Sequence, residues 1–383
     1  MRLSFIPMLQ CPVCRTGEIE SPHATVKIRI IDGGKAGEYI QDGILECRSC
    51  GAVFPVINRI ATLLPESQMT GPEKEFIAKY DRSAAPRTVD FVPPSPETRL
   101  ERIRAFLLQY EFYREESYPD AKSRAWIRNS VDYEVNSAVL KDKYIASLSH
   151  RLKKSPGAVL DIGGGQGGTL ACFKRHFNPA CAFLLDMDDR FTPIAQLRDE
   201  TINVVRGDAT HMPFKSKVFD LTISNGCLEH VRNWQAMISE IRRTGVETYL
   251  SYIPNGSFPW EIGHLSAPLV PLLPKSLSRR LCRAWHVLLN NKQYTYGLID
   301  HLLNITYFVP SRRFAKECRR LRINATNMFS WYTIEASKTS YHHTYGRVLR
   351  FLGRHPLVLR LFTGTAMALH LEPVVHYYLY HPE

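Results

Sequence analysis

The sequence predicts an α/β fold: a doubly wound, mostly parallel sheet, preceded by a small cysteine-bearing β module and followed by a basic helical region. Three observations carry this expectation. Between residues 131 and 272, strand-like runs alternate with helical stretches, the pattern of a parallel sheet with crossover helices. Two Cys-x-x-Cys pairs bracket short strands and turns within residues 1–65. Charge is uneven: residues 271–383 hold 16 Lys/Arg against 5 Asp/Glu, whereas the first 270 hold 33 against 32, in a chain of net charge +12.

The elements follow in order. In residues 1–65, TVKIRII (25–31) and EYIQDGILEC (38–47) alternate as strands and are joined by an Asp-Gly-Gly turn. Residues 66–130 form a connector, rich in proline near 86–96. There Ser95-Pro96 supplies a cap and a first-turn proline, and Leu100, Ile103, Leu107 and Tyr110 share one helical face. Residues 131–272 open with a helix (VDYEVNSAVLKDKYIASL), then give AVLDIG, CAFLLD, INVVRGD, FDLTISN and ETYLSYI as successive strands. Residues 273–383 read as a basic helical region covering an acceptor site, with SRRFAKECRRLR (311–322) and GRVLRFLGRHPLVLRLF (346–362) as its marked stretches.

Composition narrows the class. Apolar content of 44% and charged content of 22% are ordinary for a globular chain. No run approaches the roughly 20 apolar residues of a spanning helix, and MRLSFIPMLQCP lacks the apolar core of a signal peptide. Nine cysteines, four of them in the two pairs, suit a reduced cytoplasm and a metal site better than a disulfide framework. The expected location is cytoplasmic, with the inner membrane face open as a peripheral contact.

Cys11, Cys14, Cys47 and Cys50 offer four thiolates and no open position, which describes structural zinc; disulfides are the alternative. A short segment with few large apolar groups gains folding energy from such an ion. Residues 9–66, from CPVC to ECRSCGAVFPVINRIATLLPE, are similar to the small zinc-ribbon domain known as the activating partner of tRNA methyltransferases and as a fused module in bacterial methyltransferases. Some members of that family lack the cysteines; here all four are present.

VLDIGGGQGGTL (159–170) contains G-x-G-x-x-G at Gly163, Gly165 and Gly168. A strand, a glycine turn and a helix N-terminus hold many ligands, NAD among them. Three neighbours discriminate. Asp161 precedes the glycines, where a carboxylate suits a ligand ammonium group and not a pyrophosphate. Asp186 ends the next strand and can accept two ribose hydroxyls, a feature that NAD shares. Asp208 and Ala209 end the third strand, where the carboxylate meets an adenine amino group and the backbone N–H a ring nitrogen. An amino acid, a ribose and an adenine without phosphate describe S-adenosylmethionine. From VLDIGGGQGG through LLDMDD and GDATHMPF to FDLTISNGCLEHV, residues 155–255 resemble the Rossmann-like class I methyltransferases, in particular the broad type 11 group. The resemblance implies that Asp161, Gly163, Gly165, Asp186, Asp208 and Ala209 contact the cofactor. It also implies methyl transfer from a sulfonium, to which the protein contributes in-line positioning and exclusion of water.

The acceptor belongs beyond the carboxyl ends of the strands, at NGCLEHVRN (225–233) and YIPNGSFPWEIGHLS (252–266). The resemblance places the Glu229-His230 pair near the cofactor; His230 is either an acceptor-side base or a structural loop histidine. The pattern P-N-x-x-F-P-x-E-x-x-H is similar to a type 11 subset associated with glycan or lipid-linked substrates. It sets Glu261 and His264 three apart, on one face if the loop is helical. Phe258 and Trp260 either stack on a flat acceptor or pack a lid in which Glu261 and His264 pair.

The expectation is therefore an S-adenosylmethionine-dependent enzyme that methylates oxygen on a glycan, lipid-linked or small acceptor, with His230, Glu261 and His264 as its catalytic set. An RNA methyltransferase is the second reading, motivated by the ribbon, the charge and Cys227. It is weakened because ISNGCLEHV lacks an N-P-P-Y-type tetrapeptide. A non-catalytic scaffold is the third. The basic C-terminal region suits an anionic membrane surface, an RNA or the solvated face of a helical cap.

Overall fold

The computed structural model describes residues 1–32, 35–84, 87–91, 93–117, 121–142, 145, 148, 152, 155–261, 264–291, 294–329 and 354–381. The chain forms two compact units. One comprises Met1–Ile223 with Arg243–Gly245, the other Ser224–Arg242 with Val246–Glu383.

In the first unit, β1 (Ile19–Asp32) and β2 (Lys35–Cys47) form an antiparallel hairpin longer than the two runs that predict it. The glycines of the expected turn, Gly33 and Gly34, lie outside the described residues. β3 (Val53–Ile57) and β4 (Ile60–Thr62) continue the meander. After α1 (Gly71–Lys79) comes β5 (Arg87–Asp90), which runs parallel to β1. α2 (Pro96–Leu107) starts where its cap predicts: Ser95 Oγ accepts the Thr98 N–H at 3.2 Å. The single helix expected across 131–148 is instead broken at Asn136, between α3 (Ala121–Val135) and α4 (Ser137–Leu140). The cause is tertiary. The Arg198 guanidinium donates to the carbonyls of Glu134 and Val135, at 2.8 and 2.9 Å, and so closes the end of α3.

The alternating part follows as β6 (Ala158–Ile162), α5 (Gly168–Phe177), β7 (Cys181–Asp186), α6 (Thr192–Arg198), β8 (Asn203–Arg206) and β9 (Phe219–Asn225). Ile103, Leu107, Ile127, Val131, Val135 and Ile194 form the packed seam of α2, α3 and α6. The sheet order is β9-β6-β7-β8-β4-β3-β2-β1-β5, parallel from β9 to β4. Near-continuous burial along β6, β7 and β8 is what a parallel sheet covered on both faces requires. The N-terminal strands are continuous with this sheet, because β4 pairs with β8 at Ala61–Val205 and Thr62–Arg206. Beside that junction Arg206 Nη1 donates to Glu73 Oε1 at 2.6 Å, and the Thr62 hydroxyl donates to the same oxygen at 2.5 Å, all three groups being buried.

α7 (Trp234–Thr244) and β10 (Gly245–Pro254) lead into the second unit. It continues with β11 (Trp260–Glu261), β12 (Ala267–Pro268), α8 (Lys275–Leu288), α9 (Tyr296–Ile305), α10 (Ser311–Arg320), β13 (Asn324–Asn327), α11 (Pro356–Leu369) and β14 (Val374–Tyr380). The C-terminal region is thus not helical throughout. β14 lies antiparallel between β10 and β13, as its β-branched and aromatic run VVHYYLY favours. α10 buries Ser311, Phe314 and Cys318 and exposes Arg312, Arg313, Arg319 and Arg320. Of the stretch 346–362, residues 346–353 lie outside the described residues. No described helix is long and apolar enough to cross a membrane.

Candidate functional site

β6 delivers Asp161 to its carboxyl end, and the glycine loop turns there. Gly165 has φ +52°, and its N–H donates to Asp186 Oδ2 at 2.8 Å, while Asp186 Oδ1 accepts the Asp188 N–H at 2.9 Å. The carboxylate at the end of β7 therefore holds the loop as well as facing its opening. Burial raises the Asp186 pKa despite these bonds. Gly164, which the motif does not count, is equally fixed: a Cβ there would lie 2.7 Å from Leu184 and 2.9 Å from Asp161 Cγ.

Asp161 is 1% exposed, and its Oδ2 has no hydrogen-bond partner. Burial lifts its pKa to about 7, against the opposing pull of Lys141. Two further buried polar atoms without partners lie in or against the loop, Gln166 Oε1 and Ser137 Oγ; Ser137 Oγ sits 2.2 Å from where a Cβ on Gly168 would be. Lys141 Nζ donates to Thr169 Oγ1 at 2.8 Å. Buried polar atoms left unpaired in this number mark a place for a polar ligand. On the neighbouring strand end, Asp208 Oδ1 accepts the Thr210 N–H and hydroxyl at 2.7 and 2.8 Å, while Oδ2 faces His211 Nδ1 at 3.6 Å; Ala209 is half-buried beside it. The Gly207 N–H donates to the Asp186 carbonyl at 2.9 Å, linking the two strand ends. This arrangement fits a ligand with an ammonium group, a ribose and an adenine. Lys141 and Arg198, distant in sequence, hold the loop through Thr169 Oγ1 and the Gln166 carbonyl, Arg206 holds the exit of β7, and no local motif signals them. Arg206 does so by donating from Nε to the Met187 carbonyl at 3.1 Å.

The second unit gathers the other candidates. Leu228–His230 form a short turn after β9, pinned by the Tyr307 N–H on the Glu229 carbonyl at 2.6 Å. His230 Nδ1 lies 3.1 Å from the Ile305 carbonyl. The His264 ring stands edge-on to His230, with centroids 5.0 Å apart. Glu261 ends β11, so the helical face expected for Glu261 and His264 is not what joins them. Instead the buried Glu261 carboxylate accepts the N–H groups of His264 (2.8 Å), Leu265 and Ser266 (3.0 Å) and faces His264 Nδ1 at 3.5 Å. Burial opposes ionisation of both, but the pair and these backbone donors outweigh it: the Glu261 pKa is lowered and the His264 pKa raised. Glu229, which the catalytic set leaves out, is 2% exposed with Oε2 unpartnered, and burial pushes its pKa to about 7. Burial lowers the His230 pKa. Trp260 is half-exposed and packs edge-on against Trp285.

The four paired cysteines form a third cluster. Cys11 and Cys50 Sγ are 3.7 Å apart, as are Cys14 and Cys47 Sγ. A tetrahedron with metal–sulfur arms of about 2.3 Å has edges of about 3.8 Å, whereas a disulfide needs about 2.05 Å. The knuckles match: the Arg15 N–H reaches the Cys11 carbonyl at 3.0 Å and the Gly51 N–H the Cys47 carbonyl at 2.9 Å. Gly17 makes room, since a Cβ there would lie 2.1 Å from Cys47 Sγ. The donor set fits zinc.

Fold and loop together define a class I S-adenosylmethionine-dependent methyltransferase domain, and the family model and the curated relatives agree. Residues 160–245 match the family described as methyltransferase domain. The phthiotriol/phenolphthiotriol dimycocerosates methyltransferase of Mycobacterium tuberculosis is 27% identical over 152 residues, 38% of this chain and 55% of that protein. The fatty-acid O-methyltransferase of Mycolicibacterium smegmatis is 25% identical over 174 residues, 42% of this chain and 62% of that protein. The chain thus spans about half the length of the first of these relatives. Among solved structures, the plantazolicin methyltransferase BpumL with S-adenosylhomocysteine aligns over 75% of this chain and 99% of its own, at 12% identity and a TM-score of 0.40.

Proposed function

We propose that the whole chain is an S-adenosylmethionine-dependent O-methyltransferase acting on a lipid-type acceptor, within the wider class of lipid-linked, glycan and small-molecule hydroxyls. The observation that carries the cofactor half is the buried, unpartnered Asp161 carboxylate in a glycine loop flanked by Asp186 and Asp208. When bound, the cofactor supplies the electrophilic methyl group. In this reading Asp161 meets its ammonium group, Gly163 and Gly165 let the backbone approach it, Asp186 takes the ribose, and Asp208 with the Ala209 N–H takes the adenine. On the acceptor side His230, His264 and Glu229 handle the hydroxyl proton. Glu261, whose carboxylate is engaged by three backbone N–H groups, positions His264 rather than reacting. The names of the mycobacterial relatives, which act on phthiotriol dimycocerosates and on fatty acids, support a lipid acceptor.

The sulfur spacing supports structural zinc on Cys11, Cys14, Cys47 and Cys50, with residues 1–65 as a zinc-ribbon module. We also propose 66–130 as connector, 131–272 as the methyltransferase part and 273–383 as the acceptor-side region. Calorimetry with S-adenosylhomocysteine tests the core of this reading. One equivalent should bind, and Asp186→Ala should weaken it at least tenfold, because each hydrogen bond to a charged acceptor is worth roughly 1.5–3 kcal/mol. Binding of NAD in its place, or unchanged affinity in the variant, overturns the assignment. Labelled methyl transfer into hydroxylated lipids, sugars or RNA then sorts the acceptor class.

A further inference from the structure

We propose that Glu229, His230 and His264 form a binding site for one divalent transition-metal cation, separate from the cysteine cluster. One ligand atom from each of the three lies within 4.8 Å of the other two. Two imidazoles and one carboxylate are a donor set for iron, zinc, cobalt or manganese, with positions left open for water or substrate.

The geometry prepares these groups for that task. A ligating histidine is oriented by what its second nitrogen meets. His230 has Nδ1 on the Ile305 carbonyl, so its other nitrogen carries the free lone pair. His264 Nδ1 lies 3.5 Å from Glu261 Oε1, an ion-pair distance without a hydrogen bond, so Glu261 restrains this ring electrostatically. The loop carrying His264 is fixed from behind: Trp285 Nε1 donates to the Ser266 carbonyl at 3.2 Å, and His286 Nε2 lies 2.7 Å from the Leu265 carbonyl. Glu229 supplies the independent observation. It is 2% exposed, and its Oε2 meets no hydrogen-bond partner. A buried carboxylate oxygen left unpaired is costly, and either a proton or a bound cation relieves it. The cluster of Asp142, Cys172 and His176 makes the contrast. There His176 Nε2 is already bonded to Asp142 at 3.0 Å.

Such an ion would polarise a hydroxyl and lower its pKa; with it bound, Glu229, His230 and His264 would serve as its ligands in place of the direct proton-handling role given above, and the hydroxyl proton would pass to solvent water. That consequence rests on the methyl-transfer reading; the site itself does not.

The test uses the full chain with its cysteine cluster loaded with zinc. Co²⁺ is titrated in and followed by visible absorption and calorimetry. One further equivalent should bind with the weak bands of nitrogen and oxygen ligation, without the strong near-ultraviolet band of cobalt thiolate. Glu229→Gln and His264→Ala should each weaken it at least tenfold while S-adenosylhomocysteine still binds normally. No additional equivalent, a cobalt–thiolate band alone, or a site indifferent to both substitutions overturns the proposal. Because wild-type stoichiometry is read directly, the outcome does not hang on how the variants fold. Normal S-adenosylhomocysteine binding without cobalt would remove the metal site and leave the methyltransferase reading standing; cobalt without S-adenosylhomocysteine would do the reverse.

Discussion

Asp161 has a folded-state pKa of about 7, well above its ordinary value, because it is buried beside a loop that offers its outer oxygen nothing to bond. A raised carboxyl pKa stabilises the fold below the unfolded value near 3.8, and that contribution is lost as pH rises through 7. The apo protein should therefore lose thermal stability between about pH 4 and 7, and Asp161→Asn should flatten that slope in melts recorded across the range. A ligand ammonium group prefers the ionised carboxylate, so S-adenosylhomocysteine should bind more tightly at pH 8 than at pH 6 in the wild type, and with no such rise in Asp161→Asn. An unchanged pH slope in the variant would remove Asp161 from the account. At this scale the sequence is informative where the chemistry is local. Asp161, Gly163, Gly165 and Asp186 declare themselves because a strand end and a turn lie within a few residues. Lys141 meets Thr169 from 28 positions away, and Glu229 looks like an ordinary loop acid until its burial is known. That is why the sequence, which marks Glu229 and His230 as a pair, puts only His230 in the catalytic set.

Elements were readable where periodicity and caps agree. Ser95 starts α2, and the five strands from AVLDIG to ETYLSYI stand where alternation puts them. β13 and β14 were not readable, since β14 finds its partner β10 at least 120 residues earlier in the chain. The break at Asn136 was hidden for the same reason, because its cause is Arg198. Two predictions belong here. Arg206 and Glu73 form a buried pair, so Arg206→Met alone should cost about 3–5 kcal/mol in denaturant unfolding, while the added Glu73→Leu should recover most of it. Additive losses would contradict the pairing. Asn255 is 1% exposed and joins four backbone groups. Its Nδ2 donates to the carbonyls of His370 and Glu372, and its Oδ1 accepts the N–H groups of Ser257 and Ser311. Asn255→Ala should strand these at about 1–3 kcal/mol each, seen as early protease cleavage within 246–381 with the melting of 1–223 little changed.

At the scale of the whole chain, charge and exposed apolar surface bear on the proposed membrane contact. Arg312, Arg313, Arg319 and Arg320 are exposed on α10, and on α11 Leu357 and Leu361 are 76% and 72% exposed. If the acceptor is lipid, the protein should sediment with anionic vesicles and not with neutral ones. At about 1 kcal/mol per basic residue, changing the four arginines to Gln should abolish this and leave S-adenosylhomocysteine affinity intact. Sedimentation with neither vesicle type would take the membrane out of the account. The parallel register of β4 with β8 carries a last consequence. One ladder connects the hairpin that leads to Cys47 with the strand that leads to Asp208, so zinc on the first and cofactor beside the second would be coupled if ordering one end orders the other. Linkage makes the effect reciprocal: whatever factor zinc adds to S-adenosylhomocysteine affinity, S-adenosylhomocysteine must add to zinc retention against a chelator. The cysteine cluster, far from the methyl group in chain and in chemistry, would then act as a thermodynamic gauge of whether the cofactor is bound.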